Sequence, residues 1–307
     1  MEVVTVGHAS LDRVKINGRE SIQLGGAAVY SAMAAKIFSR TGIVSRVGRD
    51  FSVEHYSKLQ EAGIDTFGLK KVKGSSSSFS IEYDKEGNAS YTSYERNVGV
   101  QIRPSDIPRN YMKASGFHIA PMAASKQEAF LKFLKKNTSA VISLNTHVGY
   151  FSKYRKGIDR LMPLADVFIL NGEEAMRLAG TKNLERALNF LKRRKHNLIV
   201  VTIGVHGSAV IQERSLTFFP SLYQPNIVDL TGCGDAFAGA FVSTYITTKD
   251  ALKSANIANS VASISATDWN FQALKALRFK TLENFQQYVI ARQRRLGKKQ
   301  KSIEFFF

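Results

Sequence analysis

The 307-residue sequence contains one cysteine, one tryptophan and six prolines, and it has no apolar run long enough to span a membrane. The single cysteine, Cys233, excludes an internal disulfide and a cysteine-based metal cluster, which agrees with a reducing compartment. A bilayer span needs roughly 20 apolar residues, and Met1 leads directly into the strand-like residues 3–6 without a basic leader. We therefore expect a soluble, cytoplasmic protein with no membrane partner.

Acidic residues are few relative to basic ones. The sequence has 43 Lys and Arg against 25 Asp and Glu, which gives a formal net charge of +18. Such a surface attracts polyanions, so both nucleotides and nucleic acids are candidate partners. We favour basic residues spread over solvated helix faces over a nucleic-acid site. The densest basic cluster, expected to end a surface helix, comprises Arg292, Arg294, Arg295, Lys298, Lys299 and Lys301.

The most informative stretch is a glycine-rich turn with the sequence V-D-L-T-G-C-G-D-A-F at residues 228–237. Backbone without side chains can approach a ligand closely, and the first N–H groups of a helix have no internal partner. The amides of Gly232, Cys233 and Gly234 are therefore expected to hold a phosphoryl group at a helix N-terminus. We assign these three residues and Asp235 to a catalytic site.

Asp235 stands beside that expected anion site. A carboxylate repels a bound phosphate, so we assign it to deprotonation of an attacking hydroxyl, which implies phosphoryl transfer to an alcohol. Packing alone is the alternative role of such a turn. The sequence has no G-x-x-x-x-G-K-[ST], Phe237 stands where a dinucleotide motif needs its third glycine, and the protein-kinase signatures H-R-D and D-F-G are missing. These absences exclude Walker-type and protein-kinase sites.

Downstream of Ser115, short apolar runs alternate with helical patterns such as 127–136 and 184–194. Regular alternation of this kind favours a parallel sheet covered by helices on both faces. The expected strands are 117–120, 140–144, 167–170 and 198–203.

The segment D-L-T-G-C-G-D-A-F-A-G-A-F resembles the C-terminal signature of the ribokinase-like, or PfkB, carbohydrate kinase family, whose pattern is D-T-x-G-x-G-D. Leu230 departs from that pattern, and V-G-R-D at residues 47–50 is similar to the family's first signature. The resemblance covers most of the chain. It implies one catalytic domain over residues 1–307, with a three-layer α/β fold, a mostly parallel central sheet and a small β-sheet lid.

The resemblance also implies a nucleotide site. N-G-E-E is similar to the family motif N-x-x-E, whose glutamate positions Mg²⁺ and phosphate, often through water; a helix N-terminal charge is the alternative role. T-I-G-V-H-G is similar to T-x-G-x-x-G, a turn that can pass under a ribose or phosphate. The implied residues are Asn171, Glu174, Thr202, Gly204, Gly207 and Asn259, whose amide is expected to give adenine one hydrogen bond. The sequence T-D-W-N at 267–270 replaces a glycine-containing turn of the monovalent-cation site, so the resemblance does not extend to potassium activation.

The acceptor side is expected near the N-terminus. Asp12 follows an early strand, where ligands of α/β proteins bind, and the resemblance assigns it to substrate hydroxyls; a turn cap is the alternative. Gly25 and Gly26 open a helix near the substrate position. Tyr30 replaces a family asparagine and adds a ring face and a hydroxyl. Arg96 is a further expected substrate contact, with a surface ion pair as its alternative.

Two segments, about 13–24 and 65–97, are expected to form the lid. Asn17-Gly18 is a strong hairpin signal, and apolar residues alternate over 79–83 before a turn at 85–88. The resemblance implies that these strands pair over the substrate and exclude water. In several relatives the lid is also a dimer interface, so a homodimer through the lid is expected.

These observations predict an ATP-dependent kinase that uses Mg²⁺ and phosphorylates a hydroxyl of a sugar or cyclic polyol, with Asp235 as the general base. His8, Tyr30 and the Glu95-Arg96 pair are similar to the archaeal inositol-kinase-like branch. A nucleoside, stacked on Tyr30, is the alternative acceptor. A nucleic-acid-binding protein on an inactive kinase scaffold is the second alternative.

Overall fold

The computed structural model of the chain describes residues 1–16, 18–83, 89–147, 157, 160–194, 196 and 198–296. Three features of the sequence lie outside these ranges. They are Asn17 of the expected hairpin, the 85–88 turn, and the basic residues Lys298, Lys299 and Lys301.

The described strands are β1 (Val3–Val6), β2 (Ser10–Ile16), β3 (Arg19–Gly25), β4 (Thr41–Val47), β5 (Ile64–Lys71), β6 (Ser78–Tyr83), β7 (Ala89–Glu95), β8 (Gly116–Ile119), β9 (Val141–Asn145), β10 (Val167–Asn171), β11 (Leu198–Thr202), β12 (Ser208–Gln212) and β13 (Ser215–Phe219). The described helices are α1 (Ala27–Ala35), α2 (Val53–Glu61), α3 (Ala124–Asn137), α4 (Gly172–Ala179), α5 (Leu184–Lys192), α6 (Cys233–Thr248), α7 (Ala251–Ser265), α8 (Gln272–Lys275) and α9 (Leu282–Arg295). Over the residues described, no helix has both the length and the apolar character that crossing a bilayer requires.

Within the described chain, the central sheet has the strand order β13-β12-β11-β10-β9-β8-β1-β4-β5. Pairing is parallel from β11 to β5, while β12 and β13 are antiparallel at one edge. Every residue of β1, β4 and β8 is buried, as expected for parallel strands covered on both faces. The mostly parallel sheet is therefore confirmed, and the antiparallel edge is a feature that the alternating pattern did not reveal.

Helices cover both faces of this sheet, because successive strand residues point to opposite sides. Phe168 and Leu170 of β10 pack in one apolar cluster with residues of α3, α4 and α5. Val167 and Ile169 of the same strand pack in another cluster with residues of α6, α7 and α9. This arrangement confirms the three-layer α/β fold.

A second sheet, with the order β3-β2-β6-β7, forms the lid. Val14, Ile81 and Tyr83 form a buried apolar cluster in this sheet, and the half-buried Trp269 of the body packs against them. The expected lid boundary at residue 65 is wrong, because β5 pairs parallel with β4 in the central sheet. Period-two alternation predicts a half-buried strand but does not say which sheet it joins.

Candidate active site

The expected anion turn lies immediately before α6. Gly232 precedes the first helical residue and has a φ of 72°. A Cβ at this position would lie 2.3 Å from Cδ1 of Tyr30, so both the backbone conformation and the contact require glycine. Gly234 is exposed, and its Cβ would meet no atom within 4 Å. The backbone at Gly234 is thus open to a ligand.

The three amides of the turn are not equivalent. The N–H groups of Gly232 and Gly234 donate to no acceptor among the described residues, which is usual at a helix start. The N–H of Cys233 instead donates to the carbonyl oxygen of Leu230 at 3.3 Å. Two amides, supported by the helix dipole, are therefore available to an anion. The sequence analysis expected all three amides to hold the phosphoryl group.

Asp235 lies in the first turn of α6. Burial raises its pKa from 3.8 to about 6, while a hydrogen bond from Asn145 Nδ2 to its Oδ1, 2.9 Å long, acts in the opposite direction. Ser31 Oγ of α1 donates to the carbonyl oxygen of Asp235 at 3.0 Å. A Cβ on Gly239 would lie only 2.0 Å from the Ser31 carbonyl oxygen, so α1 and α6 are in close backbone contact. The carboxylate is therefore fixed to the body of the protein.

Asn145 is a site residue that sequence reasoning missed. It is the last residue of β9 and is 7% exposed, and Gln127 Nε2 donates to its carbonyl oxygen at 2.8 Å. The neighbouring His118 is fully buried, with Nδ1 2.9 Å from Ser143 Oγ. Burial lowers the pKa of His118 to about 3, against the opposing effect of the Asn145 side chain, so the imidazole is neutral at neutral pH. The only sequence signal was a polar residue at the carboxyl end of an apolar strand.

The N-x-x-E segment forms the start of α4. Asn171 Oδ1 accepts from the N–H of Glu174 at 2.8 Å, and Glu174 Oε2 accepts from the N–H of Asn171 at 2.9 Å, which is a capping box. Thr146 Oγ1 donates to the same Oε2 at 3.2 Å. Because Thr146 follows Asn145, the end of β9 connects the carboxylates of Glu174 and Asp235.

A cavity of about 520 Å³ opens beside the anion turn. Its walls are mostly apolar and come from the β11–β12 turn, residues 221–227, α6 and α7. Four of the residues expected to bind the nucleotide line it together with two residues of the anion turn: Thr202, Gly204, Gly207, Asn259, Cys233 and Gly234. Asn171 and Glu174 are not among its lining residues. The volume is in the usual range for small-molecule sites, about 300–1,000 Å³.

Asn259 has a different role in this cavity from the one expected. It is 4% exposed, and its Nδ2 donates to Ser208 Oγ at 3.0 Å and to the Phe219 carbonyl oxygen at 3.3 Å. These bonds use both amide protons. The expected amide hydrogen bond to adenine is therefore corrected: the side chain fastens α7 to β12 and β13 and shapes the wall.

Asp12 lies within β2, at the base of the lid, and is 6% exposed. Its Oδ1 accepts from the N–H of Phe79 at 3.1 Å. Burial raises the pKa of Asp12 to about 6, although hydrogen bonds from Ser10 and Phe79 act in the opposite direction. A Cβ on Gly25 would lie 2.0 Å from Asp12 Oδ2, and Gly26 has a φ of 96° before α1. Glycine at position 25 lets β3 approach the carboxylate, and glycine at position 26 lets the start of α1 approach the backbone of His8.

Arg96 lies where the lid returns to the body. Its guanidinium stacks over the Tyr94 ring, 4.5 Å from the centroid. Burial, and secondly the charge of Arg96, lower the pKa of His8 to about 4 and also lower the pKa of His147. Both histidines are neutral at neutral pH. His8, Arg96 and His147, which follow β1, β7 and β9, therefore interact electrostatically, and Arg96 carries the positive charge among them.

Tyr30 differs from its sequence-based interpretation as a stacking surface. Tyr30 is 5% exposed, and its ring packs on Gly232 and lies edge-to-face against Phe271, with centroids 5.7 Å apart. The ring packs against the anion turn, whereas the sequence analysis expected an open surface on which a substrate could stack. Burial raises the pKa of the Cys233 thiol to about 12, so no thiolate forms at this helix start.

Comparisons with known proteins agree with this geometry. Residues 2–275 match the pfkB family carbohydrate kinases. A cytidine kinase of Thermococcus kodakarensis is 29% identical over 249 residues, covering 80% of this chain and 88% of the relative. The structure of a Burkholderia thailandensis nucleoside kinase in complex with inosine has a TM-score of 0.79 at 13% identity, over 94% of this chain and 96% of that one. A ribokinase from Giardia lamblia has a TM-score of 0.79 at 20% identity, over 92% and 99%. The chain therefore belongs to the pfkB family of carbohydrate kinases, phosphotransferases that use ATP and act on a hydroxyl acceptor.

Proposed function

We propose that this chain transfers the γ-phosphoryl group of ATP to a hydroxyl of a sugar, cyclic polyol or nucleoside, with Asp235 as the general base. The position of Asp235 carries the proposal. Asp235 lies in the first turn of α6, one residue after Gly234 and three after Gly232, whose N–H groups donate to no acceptor among the described residues. Gly234 lines the cavity that we assign to the nucleotide, together with Cys233. A hydroxyl that reaches the carboxylate is then also beside the bound phosphate.

The chemistry follows from these positions. With a pKa of about 6, Asp235 is ionised at neutral pH and is a stronger base than an ordinary aspartate. It accepts the proton of the acceptor hydroxyl as the oxygen attacks the γ-phosphorus and the bond to the ADP oxygen breaks. The amides of Gly232 and Gly234 stabilise charge on the phosphoryl oxygens, and Asn145 orients the carboxylate.

Mg²⁺ is the expected companion of the nucleotide, and Glu174 is its proposed contact. Glu174 is 2% exposed and its Oε2 already accepts two hydrogen bonds, which fits contact with a hydrated ion through water. Among the described residues, no three His, Cys, Asp or Glu side chains form a metal site by themselves. When bound, the ion neutralises phosphate charge. Potassium activation is not expected, because T-D-W-N at residues 267–270 replaces the glycine-containing turn of the monovalent-cation site.

Two acceptor classes are candidates. A sugar or cyclic polyol is supported by the buried carboxylate of Asp12, which suits donation from substrate hydroxyls. A nucleoside is favoured by the cytidine kinase relative, which is similar over most of its length. Both classes can present a hydroxyl to Asp235.

An ADP-release assay with Mg²⁺ and ATP across ribose, fructose, myo-inositol, adenosine and cytidine tests the proposal. We expect turnover with at least one acceptor and its loss in Asp235→Asn. Higher kcat/KM for cytidine or adenosine than for the free sugars would select the nucleoside class. Absence of turnover with the whole panel, together with tight and strongly salt-dependent RNA binding, would contradict the proposal and support the inactive-scaffold alternative.

A homodimer through the lid is also proposed. Ile22 of β3 is 67% exposed and Tyr94 of β7 is 59% exposed, so both edges of the lid sheet present apolar surface. Sedimentation equilibrium of the wild type and of Ile22→Lys tests it, and a monomeric wild type would contradict it.

A further inference from the structure

The lid sheet contacts the segment that leads into the anion turn. Tyr83, the last residue of β6, is 7% exposed, and its hydroxyl donates to Asp229 Oδ1 at 2.7 Å. The same hydroxyl lies 3.0 Å from Thr231 Oγ1. The ring lies edge-to-face against Trp269, with centroids 5.0 Å apart. Asp229 and Thr231 immediately precede Gly232, so a lid side chain is bonded to the base of the turn.

Asp229 collects donors from three segments of the chain. It is 4% exposed, and besides the Tyr83 hydroxyl its carboxylate accepts from the N–H of Thr231 at 2.8 Å and from the N–H of Asn270 at 3.0 Å. Asn270 in turn donates from Nδ2 to the carbonyl oxygen of Leu24 in β3 at 2.8 Å. Two lid strands therefore reach Asp229, β6 directly and β3 through Asn270.

A buried carboxylate is costly to leave without its donors, so Asp229 holds the groups around it in place. Its backbone is part of the same structure, because the Asp229 carbonyl oxygen accepts from Cys233 Sγ at 3.8 Å. Gly232, three residues later, has the left-handed φ of 72° that directs its amide at the helix start. A change in the donors of Asp229 is thus transmitted to the amides that we assign to the phosphoryl group.

We propose that Tyr83 is a positioning residue that couples the placement of the lid over the acceptor to the geometry of the anion turn. This inference rests on the proposed function. With the lid in place, the Tyr83 hydroxyl completes the donor set of Asp229 and the turn holds its amides for phosphoryl transfer. Without that contact the turn relaxes. The coupling favours transfer to the acceptor over hydrolysis of ATP by water.

Tyr83→Phe tests this directly, because it keeps the ring on Trp269 and removes only the hydroxyl. We expect kcat to fall about tenfold to hundredfold, with the acceptor KM within about twofold of wild type. The ratio of ADP released to acceptor phosphorylated should rise. Tyr111→Phe is the matched control, since the buried Tyr111 hydroxyl donates to Asp65 Oδ1 at 2.6 Å away from the lid and the turn. The control should lower Tm while kcat stays at the wild-type value.

A second measurement does not depend on turnover. Amide hydrogen exchange at residues 228–235 should be faster in Tyr83→Phe than in Tyr111→Phe, without any substrate present. Unchanged exchange in that segment would overturn the inference, as would a loss of kcat in both variants in proportion to their loss of Tm. If the wild type phosphorylates no acceptor, the proposed function fails, and the exchange comparison still decides whether Tyr83 holds the turn.

Discussion

The two sides of Asp235 differ in what they offer a ligand. The side that we propose for the nucleotide is a mostly apolar cavity lined by Gly234, next in the chain to the free amide of Gly232. The side that we propose for the acceptor carries buried ionisable groups, with the pKa of Asp12 raised to about 6 and that of His8 lowered to about 4. Donor binding therefore depends on the path of the backbone, while acceptor binding depends on the charge state of side chains. Substitutions should separate these two dependences.

The largest effect is expected where the sides meet. Asp235→Asn removes the base and should lower kcat about 10³-fold while leaving the Kd for ATP within about threefold.

The same substitution should change the pH dependence of stability. Because the folded pKa of Asp235 lies above its ordinary value, the protonated carboxyl is more compatible with the folded state than the ionised one. The stability that this carboxyl contributes to the wild type is therefore fully present below about pH 4 and is lost as the pH rises through about 6. The variant should therefore have a higher Tm than wild type at pH 7.5 and little difference at pH 4. Steady-state kinetics, calorimetric titration and thermal unfolding measure these quantities, and wild-type turnover in a folded variant would refute the mechanism.

The backbone side is tested next by Gly232→Ala. The added Cβ meets the Tyr30 ring at a positive φ, so the turn must move and kcat should fall about 100-fold. Gly63→Ala is the matched control, because Gly63 also has a positive φ, 86°, but lies away from the turn and meets Arg278. Both variants should have a lower Tm than the wild type, and only Gly232→Ala should have a lower kcat. Equal kinetics for the two variants would mean that the turn does not contact the phosphoryl group.

The acceptor side is tested by Asp12→Asn. The substitution removes a charged hydrogen-bond acceptor, so kcat/KM for the acceptor should fall about 50-fold while the KM for ATP stays unchanged. In the wild type, Asp12 and Asp235 both protonate near pH 6, so acceptor kcat/KM should fall below pH 6 with a slope steeper than one. The variant should show a slope of one. If the KM for ATP rose by the same factor as kcat/KM for the acceptor fell, Asp12 would affect both ligands and the two sides would not be independent.

A smaller effect is expected for Asn145→Ala. Loss of the Nδ2 hydrogen bond removes an influence that lowers the pKa of Asp235, so the acid limb of the kcat profile should move up by roughly one pH unit. At pH 8 kcat should fall about tenfold, because the carboxylate is no longer oriented. Gln127→Ala, which frees the carbonyl oxygens of Asn145 and Ala120, should leave the pKa of Asp235 in place. If the acid limb of the kcat profile does not move in Asn145→Ala, Asn145 has only a packing role.

The parts of the site that the sequence predicted are local in the chain. The anion turn is recognisable because its glycines and Asp235 lie within four residues, and the Asn171–Glu174 capping box spans the same distance. The mostly parallel sheet was also predictable, because buried parallel strands are short continuous apolar runs between helices.

The missed contacts join distant segments. Asn145 and Asp235 are separated by 90 residues, and Tyr83 and Asp229 by 146. No periodicity or spacing relates such pairs, since only the folded sheets bring them together. The wrong assignment of 65–71 has the same origin, because strand patterns do not specify a pairing partner.

The close contact of α1 with α6 has a consequence for changing what this protein phosphorylates. Ser31 and Gly239 hold α6, the helix that carries Asp235, against α1. Neither contact involves a residue of the lid strands. Lid strands transplanted from a relative should therefore import a new acceptor preference without realigning the base, provided that the graft keeps a tyrosine at position 83. In this architecture the lid strands and the helix of the base can be exchanged separately, because they are connected through the Tyr83 hydroxyl and through the Asn270 bond to the backbone of Leu24.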